Sequence, residues 1–171
     1  MKILIWIVGI LMALVGLCYL AGMTYSREQS YTRTIELKQP PEAVFALLSD
    51  VENMPTWNDG LEKVEIIPPI DGKQATRQTC KGNLQMTIVT TESHPPSHLI
   101  RTMGDEDGPF VGSWTYNITD TPSGSQVALT EDSNVRNPFT RLMMKIMGPT
   151  KYMDAHLQGL AKHFGETAVI R

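Results

Sequence analysis

The sequence predicts an α+β fold. It consists of a seven-stranded curved antiparallel sheet, two short helices after the first strand and a long C-terminal helix across the sheet. One transmembrane helix precedes this domain. Three observations carry the prediction. Ile3 to Gly22, "ILIWIVGILMALVGLCYLAG", holds no charged residue. Between Tyr31 and Ser133 the chain breaks into short alternating segments separated by Pro, Gly, Asp and Asn, the signature of hairpin-linked strands. From Asn137 onward the period changes to that of a helix.

The apolar run comes first. Roughly 20 apolar residues in a helix span the hydrocarbon core of a bilayer. Lys2 precedes the run, and Trp6 and Tyr19 lie near its ends, where interfacial aromatics are favoured. A cleaved signal peptide is the rival reading. The run exceeds a usual signal core of about 7–15 residues, no small-x-small site closes it, and Leu17 before Cys18 does not suit a lipoprotein. An uncleaved anchor over 1–23 is therefore expected, with a tether over 24–30, a domain over 31–166 and a tail over 167–171. The basic residues on either side leave the orientation open.

The domain begins with a strand, Tyr31 to Leu37, ended by Pro40-Pro41. Pro41 suits the first turn of a helix and Glu42 its positive end. Ala43, Val44, Leu47 and Leu48 follow helical spacing, and Phe45 falls off that stripe, towards the tether or a membrane surface. Ser49-Asp50 stops the helix, and one further turn leads through Pro55 to Trp57. Strands follow at Leu61 to Ile67, Lys73 to Lys81, Leu84 to Glu92, His98 to Met103, Val111 to Thr119 and Gln126 to Ser133. The stretch 104–109 is a turn. On one strand Trp114, Tyr116 and Ile118 share a face; on another Leu84, Met86 and Ile88 do. A sheet with one apolar face needs a cover. The last segment supplies it, capped by Asn137 with Pro138 at the first position. Met153, Leu157, Leu160 and Phe164 recur at helical spacing, and Gly148-Pro149 kinks the helix.

Formal net charge is −3 with no basic block, which argues against a nucleic-acid partner. Only Cys80 falls outside the apolar run, so no disulfide forms within the domain, and no Cys/His spacing suits a metal. His94 and His98 flank a turn, and His156 and His163 lie seven apart on the last helix with no carboxylate partner. No catalytic residue, metal ligand or cofactor is expected from these patterns. Arg77, Arg101, Glu131 and Asp132 lie on strands. Burying an unpaired charge is costly, so an outward face is expected for them; any that turned inward could orient a ligand in a mostly apolar pocket.

The stretches "QPPEAVFALLSDVENMPTWNDGLEKVEII" and "MGPTKYMDAHLQGLAKHF", with the order of elements between them, resemble the SRPBCC superfamily. This is the START-like, Bet v 1-like helix-grip group that includes polyketide cyclase/dehydrase-type members. The resemblance covers about 31–166. It implies an apolar cavity between sheet and last helix, with the broken helix before Trp57 as part of its rim. Methionine adapts to irregular apolar partners, and the chain has 10 of them. The expected cavity residues are Trp57, Met86, Met103, Trp114, Tyr116, Met143, Met147, Tyr152 and Met153, with Tyr116 and Tyr152 as hydroxyl donors. The expected function is a membrane-tethered module that binds or transfers a hydrophobic small molecule or lipid. A cyclase/dehydrase-like enzyme using the same cavity is the alternative, and a protein-binding module the third reading.

Overall fold

The computed structural model describes residues 2–103, 110–167 and 169–171; the turn expected over 104–109 lies outside them. The elements are α1 (Lys2–Met23), β1 (Glu28–Leu37), α2 (Pro41–Ser49), β2 (Leu61–Ile70), β3 (Lys73–Cys80), β4 (Leu84–His94), β5 (His98–Met103), β6 (Phe110–Thr121), β7 (Gly124–Val135), α3 (Pro138–Met147) and α4 (Lys151–His163). All seven strands form one antiparallel sheet in the order β1-β7-β6-β5-β4-β3-β2. β1 thus closes against the last strand, and the two helical turns that follow it return the chain to the far edge at β2.

β1 starts three residues before Tyr31, because Glu28 to Ser30 already pair with Asn134 to Asp132. β2 runs through Pro68-Pro69 to Ile70, past a register shift between Ile67 and Ile70. As an edge strand it tolerates prolines that a central strand would not. The other edge is covered by the chain end. The Arg171 and Thr34 backbones exchange hydrogen bonds of 3.0 and 2.9 Å, which occupies part of β1's free edge.

One face of the sheet is covered by α2 and α4. Val44 and Leu48 of α2, Met153, Leu157 and Leu160 of α4, and Ile35, Tyr116, Val127 and Leu129 of the sheet are all at most 1% exposed. Phe45 is buried with them rather than turned to the tether. The helix is short, so the side chain just off its central stripe still reaches the core. Beyond α2 a 3₁₀ turn, Met54–Thr56, carries Trp57 inward to 4% exposure.

Gly148-Pro149 is a full break between α3 and α4 rather than a kink, and Gly148 adopts φ 93°. Only α4 lies across the sheet. α3 turns away and packs on the end of α1. α1 is long and apolar enough to cross a membrane, with none of its apolar window buried.

α4 sits close to the rim at Gly159. A Cβ there would fall 2.4 Å from the Trp57 carbonyl oxygen, a backbone atom that cannot swing aside. Gly→Ala inside a helix ordinarily stabilises by about 0.5–1 kcal/mol. Gly159→Ala is expected to do the opposite, destabilising by about 2 kcal/mol as α4 is levered off the rim. Thermal unfolding checks this: the midpoint should fall by roughly 5 °C, and a rise would show that α4 and the rim are not in hard contact.

Candidate functional site

Period-2 alternation places Leu99, Arg101 and Met103 on one side of β5. The same parity puts Val127, Leu129, Glu131, Ser133 and Val135 on one side of β7. These are the buried residues of each strand. Across the sheet Arg101 pairs with Trp114, and Trp114 with Glu131. A row of cation, indole and carboxylic acid therefore crosses three strands on the covered face. The neighbouring row, Leu99–Tyr116–Leu129, places the Tyr116 hydroxyl beside it.

The expectation that Arg101 and Glu131 face outward is thus overturned: they are 5% and 6% exposed, while Arg77 and Asp132 do face solvent. Register decides the matter, since turning either residue out would turn out the apolar neighbours that share its parity. Glu131 accepts a 2.6 Å hydrogen bond from the Trp114 Nε1–H. Burial pushes its carboxyl pKa up, and that bond partly offsets the rise. Arg101 donates to the Leu48 carbonyl and, at 3.6 Å, to the Met54 Sδ. Among the described residues no carboxylate lies within ion-pair distance of it. Burial lowers its pKa, but a guanidinium stays protonated in a protein.

α4 contributes His156, 1% exposed. Its Nε2 lies 3.1 Å from the Tyr116 hydroxyl and its Nδ1 lies 3.1 Å from Asn58 Nδ2. Asn58 Oδ1 accepts from the Gly60 N–H, so its amide group donates to Nδ1. The proton of the neutral ring then resides on Nε2 and is donated to Tyr116. Trp57 and Trp114 stand edge-on to the imidazole, each with ring centroids 5.0 Å away. Burial, helped by the nearby Arg101 charge, lowers the His156 pKa to about 3. Burial raises that of Tyr116 to about 12, against the opposing pull of Arg101. At neutral pH the ring and the phenol are both uncharged.

Of the expected cavity residues, Trp57, Trp114 and Tyr116 meet around His156, and Met153 lies in the same buried core. Met103 and Met86 share the covered face further along, opposite Ile88 and Gln78 respectively. Met143, Met147 and Tyr152 are 36%, 46% and 64% exposed and do not join them. The break at Gly148-Pro149 frees α3 from α4, so the methionine spacing does not carry across it. Asn58 was not singled out by pattern, His156 was considered only with His163, and Arg101 was named as an anchor only if it turned inward, as it does. His156 was legible, because 153, 156, 157 and 160 form one helical face. The space between sheet and α4 is packed with the aromatic cluster. Two grooves, of about 200 and 170 Å³, lie elsewhere: one between β1 and the chain end, the other beside Tyr25 to Tyr31 and α3. Within the cluster and the adjacent row, Arg101 Nε, Trp57 Nε1 and Ser133 Oγ are buried without a hydrogen-bond partner. No group of His, Cys, Asp and Glu among the described residues could hold a metal ion.

A curved antiparallel sheet gripped by a C-terminal helix, with the polar cluster beneath it, is a START-like helix-grip domain of the SRPBCC class. Residues 28–165 match the family described as "Polyketide cyclase / dehydrase and lipid transport", and the chain belongs to that family. Among solved structures, the Zhui aromatase/cyclase from Streptomyces sp. R1128 has a TM-score of 0.61 at 18% identity, over 80% of this chain and 92% of that one. A conserved protein from Geobacillus kaustophilus has a TM-score of 0.64 at 16% identity, over 84% and 99%. The di-domain ARO/CYC BexL from the BE-7585A biosynthetic pathway has a TM-score of 0.66 at 11% identity, over 84% of this chain and 52% of that one, so the chain spans about half its length. No curated protein matches the sequence significantly.

The buried imidazole makes a pH prediction. Folded His156 takes no proton until about pH 3, whereas in the unfolded chain it titrates near its ordinary value of about 6.5. Between those values the unfolded state binds more protons, so stability falls as pH falls, by about 1 kcal/mol per unit. Glu131, shifted upward, works in the opposite sense. The thermal midpoint of wild type should therefore drop more steeply from pH 7 to pH 4.5 than that of His156→Gln. Parallel profiles would mean that His156 is protonated in the folded protein.

Proposed function

We propose that this chain is a membrane-tethered binding module for a hydrophobic small molecule or lipid with an anionic or oxygen-rich end. The apolar body lies on the covered face among Met86, Ile88, Met103 and the tryptophans, and the polar end engages Arg101 and Tyr116. One observation carries this reading: a buried guanidinium with no carboxylate beside it among the described residues. A buried ion loses several kcal/mol of hydration. One carbonyl, one thioether and the neutral Tyr116 hydroxyl do not return it, since a net hydrogen bond contributes about 1 kcal/mol. An anionic or carbonyl-bearing ligand end would. The family's inclusion of lipid transport fits the same chemistry. Because side chains fill the interior, entry of the ligand displaces the Trp57 ring, which sits on the short rim turn.

The tether is α1, retained as an uncleaved anchor. Its last turn and the residues after it are fitted to the domain: Gly22 touches the Pro138 backbone, Tyr25 accepts from Arg141, and Arg27 accepts from the Val135 N–H. A signal peptide cleaved after Gly22 would forfeit the first of these contacts. Tethering raises the effective concentration of a membrane-dissolved ligand at the site.

A second reading, a cyclase/dehydrase-like reaction, is favoured by the Tyr116 hydroxyl. Its oxygen accepts from His156 and interacts with Arg101, so its own proton is free to polarise a substrate carbonyl. Turnover of poly-ketone substrates that is lost in Tyr116→Phe, with binding retained, would select that reading.

The binding reading is tested with the full chain in phosphatidylcholine nanodiscs, using anilinonaphthalene sulfonate as an anionic probe and N-phenylnaphthylamine as a neutral one. Arg101→Met should weaken the anionic probe by about tenfold, a loss of about 1.4 kcal/mol. It should spare the neutral probe and leave the thermal midpoint unchanged or higher. Equal effects on both probes, or none, would remove Arg101 from the site.

A further inference from the structure

α3 presents its side chains in the reverse of the usual sense. Phe139, Met143, Ile146 and Met147 fall at i, i+4, i+7 and i+8, a single helical face. They are 48%, 36%, 69% and 46% exposed. The buried positions of the same helix are Pro138 and the charged Arg141. A surface helix of a water-soluble domain turns its apolar stripe to the core and its charges to solvent. Here the stripe points out.

Three observations identify what covers it. The first is position. α3 packs on the last turn of α1, where a Cβ on Gly22 would fall 1.9 Å from the Pro138 carbonyl oxygen. Arg141 Nη1 donates to the Tyr25 carbonyl at 2.6 Å. α3 therefore lies at the level where α1 would leave a bilayer. The second is charge. From Asn137 to Met153 there is no acidic residue, and Lys145 and Lys151 are exposed, which suits anionic headgroups. The third is the aromatic Tyr152, 64% exposed just past the break, a residue type favoured at the membrane–water boundary. With 10 residues, α3 is about 15 Å long at 1.5 Å per residue. That is too short to span a bilayer, and an amphipathic helix of this kind lies in the interface plane with its apolar face down.

We propose that α3 is an interfacial helix, lying at the headgroup–acyl boundary of the leaflet from which α1 emerges. Phe139, Met143, Ile146 and Met147 insert among the acyl chains. This rests on the reading of α1 as a membrane anchor. The domain is then held at two points, and the angle of the sheet to the membrane is fixed.

The test uses the full chain with Cys18→Ala and Cys80→Ala, in vesicles of phosphatidylcholine and phosphatidylglycerol. Single variants Leu11→Cys, Ile146→Cys and Lys162→Cys carry the fluorophore NBD, all at exposed positions that leave the fold intact. At 146, lipid spin-labelled high on the acyl chain should quench strongly, and aqueous iodide several-fold less than at 162. Quenching at 11 by lipid labelled low on the chain reports the anchor separately. If 11 is quenched but 146 is as open to iodide as 162, the anchor stands and the α3 proposal is overturned. If 146 is shielded from iodide yet unquenched by lipid, a second copy or another protein covers the face, and the proposal is overturned. Quenching at 146 without quenching at 11 would overturn the anchor and, with it, the placement of α3 beside an emerging span.

Discussion

The contact between Tyr116 and His156 ties together the three parts of the domain that must meet. Tyr116 belongs to a central strand, His156 to the covering helix, and the opposite ring nitrogen of His156 reaches Asn58, just past the rim turn. Tyr116 and His156 are both buried, so each of their polar side-chain atoms must find its partner within the fold. The position of α4 along the sheet is set by this chain and by the Gly159 contact with the Trp57 backbone. An apolar interface alone would define it less sharply, since hydrophobic burial is non-directional.

That constraint also explains the electrostatics. Once α4 is seated, desolvation keeps His156 and Tyr116 neutral, and Arg101 remains the cation of the cluster. The Trp114 indole already occupies one oxygen of Glu131. Among the described residues, the fold thus holds an arginine that no carboxylate neutralises. Replacing such a group with an apolar one is often neutral or stabilising. Stability alone therefore does not account for its presence.

Much of this was legible in the sequence, and what was not has identifiable causes. The seven strands, the short helix after the first and the helical close all followed from periodicity and turn residues. Parity also carried the burial of Arg101 and Glu131, since both share phase with Leu99 and Leu129. The general cost of burying charge argued against what the local pattern stated, and the pattern decided. His156 likewise stood on the buried face of α4. The direction of α3 was not legible. Met143 and Met147 continue into Met153 only if Gly148-Pro149 bends the helix, and the chain breaks there completely. Whether a Gly-Pro pair kinks or severs a helix depends on what receives the freed segment, and that receiver is α1, more than a hundred residues earlier.

The close fit of α3 to α1 bears on how the polar cluster could be reached. A flexible tether would let the domain sample all angles, and only some of them would bring the rim near the lipid. Backbone contact at Gly22 and the Arg141–Tyr25 hydrogen bond leave little such freedom. α3 leads through Thr150 directly into α4, the helix that carries His156, so any displacement of α3 is delivered to the helix that covers the cluster. With Arg33 of β1 bonded to Asp154 at 2.7 Å, the first turn of α4 is pinned to the sheet as well.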